Sequence, residues 1–158
     1  MNEMLANQYF IVNRFQDACT EFEEILDANP SNSIAKKKLV LCYIHIGEIQ
    51  SAFKLFAELV TTNINILTEN EISIYDKPCK KMISYLKTNP QKLVEKNKLL
   101  ILGMLWTYCD INNAKIEFEK LNKILPNDPK IITILTIINH LISQNYKEKE
   151  NGTKTLLS

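Results

Sequence analysis

The feature that most constrains the fold is a short pattern of apolar residues that recurs at helical spacing. In each copy an alanine is followed four positions later by phenylalanine and three positions after that by an aliphatic residue. The copies are Ala18, Phe22 and Ile25, then Ala52, Phe56 and Leu59, and then Ala114, Phe118 and Leu121. Nine positions before each alanine stand Tyr9, Tyr43 and Leu105. Spacings of three and four residues place apolar side chains on one helical face, so the pattern predicts repeated helices.

The interval between the copies predicts how these helices are organised. Ala18 and Ala52 are 34 positions apart, which accommodates two antiparallel helices, and one such pair needs a stacked neighbour to bury its apolar face. A small residue at a helix crossing lets the backbones approach, and a phenylalanine one turn later fills the groove. Only 3 glycines occur in 158 residues, too few for a turn-rich β fold. The expected class is therefore all-α, a solenoid of helix-turn-helix repeats.

One shortened, irregular repeat is expected in the middle of the chain. Ala52 and Ala114 are 62 positions apart, which is 34 plus 28. The stretch DKPCKKMISYLKTNP supplies a second helix that ends at Pro90, but the helix before it, near LTENEISIYD, is about two turns short. We expect one domain over 1–146, with units at about 1–30, 31–64, 65–90 and 91–126 and a C-terminal capping helix at about 129–146. A polar tail is expected at 147–158.

This arrangement resembles the tetratricopeptide repeat (TPR) family, whose unit is 34 residues of two antiparallel helices. The matching residues are Tyr9, Ala18, Phe22 and Pro30 in the first unit, Tyr43, Gly47, Ala52 and Phe56 in the second, and Ala114, Phe118 and Pro126 in a later one. The early tryptophan of the family is absent, Asn13 and Cys109 stand in place of the turn glycine, and the second unit ends at Ile64 without a proline. The resemblance implies a TPR-like solenoid that binds other proteins.

The resemblance also implies which side chains line the concave wall of the solenoid. They are Asn7 and Phe10 in the first unit, Lys37, Leu41 and Ile44 in the second, and Leu99, Gly103 and Trp106 in the later one. The helices around LVLCYIHI and LLILGMLW are apolar on nearly every side, and such a helix is either buried on every side or available to a partner. Phe10, Ile44 and Trp106 fall at the same place in their units, which predicts a column along the wall.

The predicted function is that of a TPR chaperone or adaptor that binds an apolar peptide or helix of another protein in this groove. In size and in its apolar groove the chain also resembles the small cytoplasmic TPR chaperones of bacterial type III secretion systems. A clamp for acidic peptides is disfavoured, because Glu3 and Leu99 stand where clamp lysines are expected and only Asn7 fits.

Two alternatives to a partner-binding groove stay open. In the first, the chain covers the wall itself, through the shortened unit, the last helix or a homodimer. In the second, the protein is a structural subunit whose apolar wall is buried in a homo-oligomer or a larger assembly.

The sequence gives little support to other classes of function. A net charge of +1 and a single arginine disfavour a nucleic-acid reader. His45 and His140 lack partners at metal-ligand spacing, and the glycines are too few for a phosphate-binding loop. No catalytic residue, metal or cofactor is therefore predicted, and an enzyme is not expected.

The location expected from the sequence is cytoplasmic. The longest apolar run near the end, IITILTIINHLI, is too short to span a bilayer, and MNEMLANQYF lacks the pattern of a secretory signal. The four cysteines form no CxxC motif and are expected to be small, reduced core residues.

Overall fold

The computed structural model describes residues 2–69, 79–88 and 93–157, without the side chains of residues 79, 85 and 154–157. This part of the chain contains helices and no strand. The helices are α1 (Glu3–Ile11), α2 (Phe15–Ala28), α3 (Ser33–Ile46), α4 (Ile49–Asn63), α5 (Asn65–Thr68), α6 (Cys79–Thr88), α7 (Glu95–Cys109), α8 (Ile111–Ile124) and α9 (Pro129–Leu157). Consecutive helices pack together as the pairs α1 and α2, α3 and α4, and α7 and α8. The prediction of an all-α fold is confirmed.

In each of the first two helix pairs, a turn of the same geometry connects the two helices of the pair. Asn13 and Gly47 both adopt a left-handed backbone, with φ of 63° and 83°. The amide that follows each of them donates to a carbonyl five residues back, from Arg14 to Tyr9 at 2.8 Å and from Glu48 to Tyr43 at 2.9 Å. This pattern closes a helix at a residue that tolerates positive φ, which glycine and asparagine do best. Asn13 therefore takes the place of the turn glycine, as the sequence predicts.

The turn between α7 and α8 is one residue shorter than the turn that contains Gly47 and Glu48. Asp110 alone separates the two helices, in an extended conformation with φ of −156°. Its carboxylate accepts hydrogen bonds from the amides of Asn112 at 3.0 Å and Asn113 at 3.4 Å, so it caps α8. Cys109 is the last residue of α7, and the prediction that it occupies the turn-glycine position is therefore wrong.

The repeated alanines and phenylalanines form the centre of the core. Ala18, Ala52 and Ala114 are fully buried, as are Phe56 and Phe118. The rings of Phe56 and Phe118 stack with centroids 5.9 Å apart, which brings α8 against α4. Tyr108 of α7 donates a buried hydrogen bond of 2.7 Å to the carbonyl of Lys37 in α3. The second and the last helix pairs are therefore in direct contact.

The described parts of the expected unit at 65–90 do not form a complete layer between those two pairs. Its first helix, α5, packs against α3, α4 and α7, and its second helix, α6, packs mainly against α7. The stretch between α5 and α6, where part of the shortened first helix was expected, lies outside the described residues. The described residues place α5 against three helices and α6 mainly against one, and the division of the chain into stacked units stays a prediction.

The last helix, α9, is longer than the sequence suggests and contacts more than one element. Its buried side chains, Ile131, Ile134, Leu135 and Ile138, lie in its first half, and it packs against both α8 and α4. The polar stretch from Lys147, expected as a tail, continues the same helix to Leu157. No helix within the described ranges is both long and apolar enough to cross a membrane.

Candidate partner-binding site

The predicted wall residues of α3 are buried inside the chain. Leu41 and Ile44 are 1% and 2% exposed, and Lys37 is 8% exposed. The ammonium group of Lys37 donates a hydrogen bond of 2.6 Å to the carbonyl of Ile66 in α5 and lies 5.9 Å from the ring centroid of Tyr108 in α7. The short helix α5 and the helix α7 therefore cover this part of the wall.

The two predicted wall residues of α1 have different environments. Phe10 is 3% exposed, and its ring meets those of Phe15 and Phe22 edge-on, with centroids 5.7 and 6.5 Å away. It belongs to the core of the first helix pair. Asn7 is half-buried and its side-chain oxygen accepts a hydrogen bond of 2.7 Å from the ammonium group of Lys38. Asn7 lines a small cleft of about 80 Å³ between α1, α2 and α3.

The short turn after α7 changes the register of this helix relative to α1 and α3. A Cβ atom added at Gly103 would lie 2.8 Å from the ring of Phe118, so Gly103 faces the crossing with α8 and does not line the wall. Its equivalents, counted from the turn, are Ala6 and Val40, which are fully buried. Trp106 then corresponds to Tyr9 and Tyr43. Phe10, Ile44 and Trp106 therefore do not form one column, contrary to the prediction.

The same shift moves the wall positions of α7 by one residue. The residues equivalent to Lys37, Leu41 and Ile44 become Leu100, Met104 and Thr107, and all three are buried. Sequence alignment on the alanines missed them because it assumed turns of equal length. The sequence does indicate the shorter turn, because YCDIN contains neither a glycine nor an asparagine before Asp110.

Trp106 and its two equivalents are half-buried rings with a polar partner at the rim. The guanidinium carbon of Arg14 lies 4.7 Å from the ring centroid of Tyr9. The hydroxyl of Tyr43 donates a hydrogen bond of 2.7 Å to Glu23, and burial together with this carboxylate raises the pKa of Tyr43 well above its usual value. At Trp106 the partner is Lys87 of α6, whose ammonium group lies 5.6 Å from the ring centroid.

The helix α6 covers the side of α7 on which Trp106 lies. Ile83 and Leu86 of α6 are 4% and 3% exposed, and Met82 is half-buried. Leu99, the remaining predicted partner-binding residue, is also buried. Of the eight predicted wall residues, only Asn7 and Trp106 reach the surface. Their role in binding stays a prediction.

A half-buried imidazole lies beside the predicted wall. His45 stacks face to face on Phe15, with centroids 3.9 Å apart and planes 4° from parallel. Its Nε2 atom is buried without a hydrogen-bond partner, and burial lowers the pKa of His45 below its usual value. The uncharged ring therefore serves the packing of α2 on α3.

Cys19, Cys42 and Cys109 are not in the same oxidation state. Cys19 and Cys42 are free and buried, and the hydrogen bond between the two thiols together with burial raises the pKa of Cys42. Cys109 is disulfide-bonded, so the expectation of four reduced cysteines is wrong for this residue. No group of three or more His, Cys, Asp or Glu side chains that could hold a metal ion occurs in the part of the chain that the structure describes.

The fold and these surfaces define an all-α protein of packed helix pairs, in which α3 and α7 bury many of their side chains against other segments of the same chain. Comparison with protein-family models, with curated proteins and with solved structures finds no match.

Proposed function

We propose that the protein is a TPR-like adaptor or chaperone that binds an apolar helix or peptide of another protein. The observation that carries the proposal is the coverage of α7, an apolar helix, by the amphipathic helix α6. A surface that holds one amphipathic helix has the shape and the chemistry to hold another. The repeated pairs support a scaffold role, because stacked pairs present long surfaces suited to partners.

The binding surface in this proposal is centred on Trp106. Aromatic side chains at the centre of a contact supply much of the binding energy in protein complexes. Of the other residues that the family resemblance implies, Asn7 reaches the surface, whereas Phe10, Lys37, Leu41, Ile44 and Leu99 are buried within the chain. Of these, Phe10 is part of the core of the first pair, so its truncation would test folding rather than binding.

The proposal is tested by affinity purification from the native cell with the wild-type chain and with Trp106→Ala. We expect a protein that co-purifies with the wild type and is lost from the variant, while circular dichroism shows the same helix content. Tyr146→Ala is the matched control, because Tyr146 is an exposed aromatic residue in the second half of α9. Equal recovery of every partner by the wild type and both variants would exclude binding through Trp106.

The alternative of a structural subunit predicts self-association. In the structure the apolar faces of α3 and α7 are already covered within one chain, so a second copy is not required to bury them. Sedimentation at high protein concentration distinguishes the two functions, because an obligate subunit forms oligomers and an adaptor stays monomeric. The placement of the protein in the cytoplasm and the resemblance to secretion chaperones stay predictions from the sequence.

A further inference from the structure

Among the cysteines whose side chains the structure describes, only Cys109 takes part in a disulfide bond. The chain has four cysteines, and Cys19 and Cys42 are free thiols. The fourth is Cys79, the first residue of α6, whereas Cys109 is the last residue of α7. These two helices pack against each other. Elimination therefore leaves Cys79 as the cysteine of this chain that supplies the second sulfur.

Cys109 lies where a small molecule can reach it. It is half-buried and lines a cleft of about 380 Å³ between α5, the end of α7 and α9. Most of the other side chains that line this cleft are polar, and Glu69 and Asp110 are among them. Thiol–disulfide exchange requires direct attack of a thiolate on a disulfide sulfur. The cleft gives a thiol of low molecular weight, such as glutathione, a route to the sulfur of Cys109.

Cys19 and Cys42 have the opposite environment. They are 2% and 0% exposed, and their thiols, which belong to α2 and α3, are hydrogen-bonded to each other. This hydrogen bond and burial raise the pKa of Cys42, and a cysteine reacts as its thiolate. The pair therefore lacks both the access and the charged form that exchange requires.

We infer that Cys79 and Cys109 form a reversible disulfide that joins the start of α6 to the end of α7, whereas Cys19 and Cys42 stay reduced. When it forms, the two thiols lose two protons and two electrons. Oxidised glutathione accepts them, its own sulfur–sulfur bond breaks, and it leaves as two thiols. Two glutathione thiols reverse the reaction through a mixed disulfide.

A reversible bond also agrees with the cytoplasmic location expected from the sequence. Permanent disulfides are rare in the cytosol, where those that occur are usually transient or redox-sensing. The inference does not rest on the proposed function, because no partner protein enters its chemistry or its test.

The pairing is tested on the full-length protein by peptide mapping. The protein is incubated with oxidised glutathione, desalted in acid to stop exchange, alkylated with iodoacetamide in urea and digested with trypsin without reduction. Because trypsin does not cleave between Lys77 and Pro78, the four cysteines fall in four different peptides, 15–36, 39–54, 55–80 and 99–115. We expect one cross-linked species, which joins 55–80 to 99–115, and alkylation of the other two cysteines.

Three results of this mapping would overturn the inference. They are a cross-link from 99–115 to either of the other cysteine peptides, a covalent dimer of two 99–115 peptides, and alkylation of all four cysteines. Cys79→Ser should abolish the cross-link and leave Cys109 as a mixed disulfide with glutathione. The matched variant Cys42→Ala should keep the cross-link.

The difference in reactivity is tested by alkylation of the native protein. The oxidised protein is reduced with glutathione, desalted and treated with iodoacetamide without urea. We expect Cys109 to be alkylated at least about tenfold faster than Cys19 or Cys42, and all four cysteines to react once urea is added. Equal native rates for these three residues, or a disulfide that excess glutathione opens only in urea, would refute a bond that exchanges in the folded protein.

Discussion

Replacing Gly103 with alanine tests the register of α7, on which the position of Trp106 depends. In a helix interior, alanine is more favourable than glycine by about 1 kcal/mol. The added Cβ atom would, however, lie 2.8 to 3.0 Å from three ring atoms of Phe118. That ring is fully buried and stacked on Phe56, so it cannot move aside freely. An extra carbon in a packed core costs about 1–3 kcal/mol, and we expect Gly103→Ala to destabilise the protein by about 1 kcal/mol.

The assay is urea denaturation followed by circular dichroism. With a slope of about 1–3 kcal/mol per molar urea, the midpoint should fall by about 0.5 M for Gly103→Ala. Gly152→Ala is the matched control, since nothing lies within 4 Å of its added Cβ atom, and its midpoint should not fall. In a Phe118→Leu background, which removes the crowding, the cost of Gly103→Ala should shrink by at least about 0.5 kcal/mol. A Gly103→Ala variant that is more stable than the wild type would refute the register assigned to α7.

Two further variants test buried polar groups. Burial lowers the pKa of His45 below the usual value of about 6.5, so the unfolded chain binds more protons, and the stability present above pH 6.5 is lost as the pH falls below it. His45→Phe should reduce the difference in unfolding free energy between pH 7.5 and 5.5, whereas His140→Gln, at an exposed position, should not. Tyr108→Phe removes the hydroxyl donor to the carbonyl of Lys37, which keeps its helical amide partner within α3, and should cost about 0.5–1.5 kcal/mol in urea denaturation, against no measurable change for the exposed Tyr146→Phe.

The repeated helices could be predicted from sequence because their signal is local. The alanine and phenylalanine pattern reports which residues meet where two helices cross, and Ala114 and Phe118 are fully buried as that pattern requires. The register of α7 could not be obtained by aligning alanines, because it depends on a turn in which Asp110 alone replaces two residues. The length of α9 was missed because its polar second half lacks the apolar spacing that marks an amphipathic helix.

The coverage of the wall was harder to predict because it depends on contacts between residues distant in sequence. From the sequence, Lys37 is expected to be a solvent-facing cation on an apolar helix. In the structure its ammonium group donates a hydrogen bond to the carbonyl of Ile66, 29 positions further along the chain. The same holds for Tyr108, whose hydroxyl reaches a carbonyl in α3 across 71 positions. A repeat pattern describes each helix pair and its neighbour, but it carries no information on how an irregular segment folds back over the wall.

The two covering segments differ in the contacts that hold them. Moving α5 away from α3 would break the charge-assisted hydrogen bond between the ammonium group of Lys37 and the carbonyl of Ile66. Lys87 of α6 is exposed at the rim beside Trp106, so the contacts that the described side chains of α6 make with α7 are mainly apolar. The burial of Ile83 and Leu86 contributes at most about 3–6 kcal/mol, and the ordering of the helix opposes it. In the proposed function, a partner helix would have to reproduce this apolar contact beside Trp106.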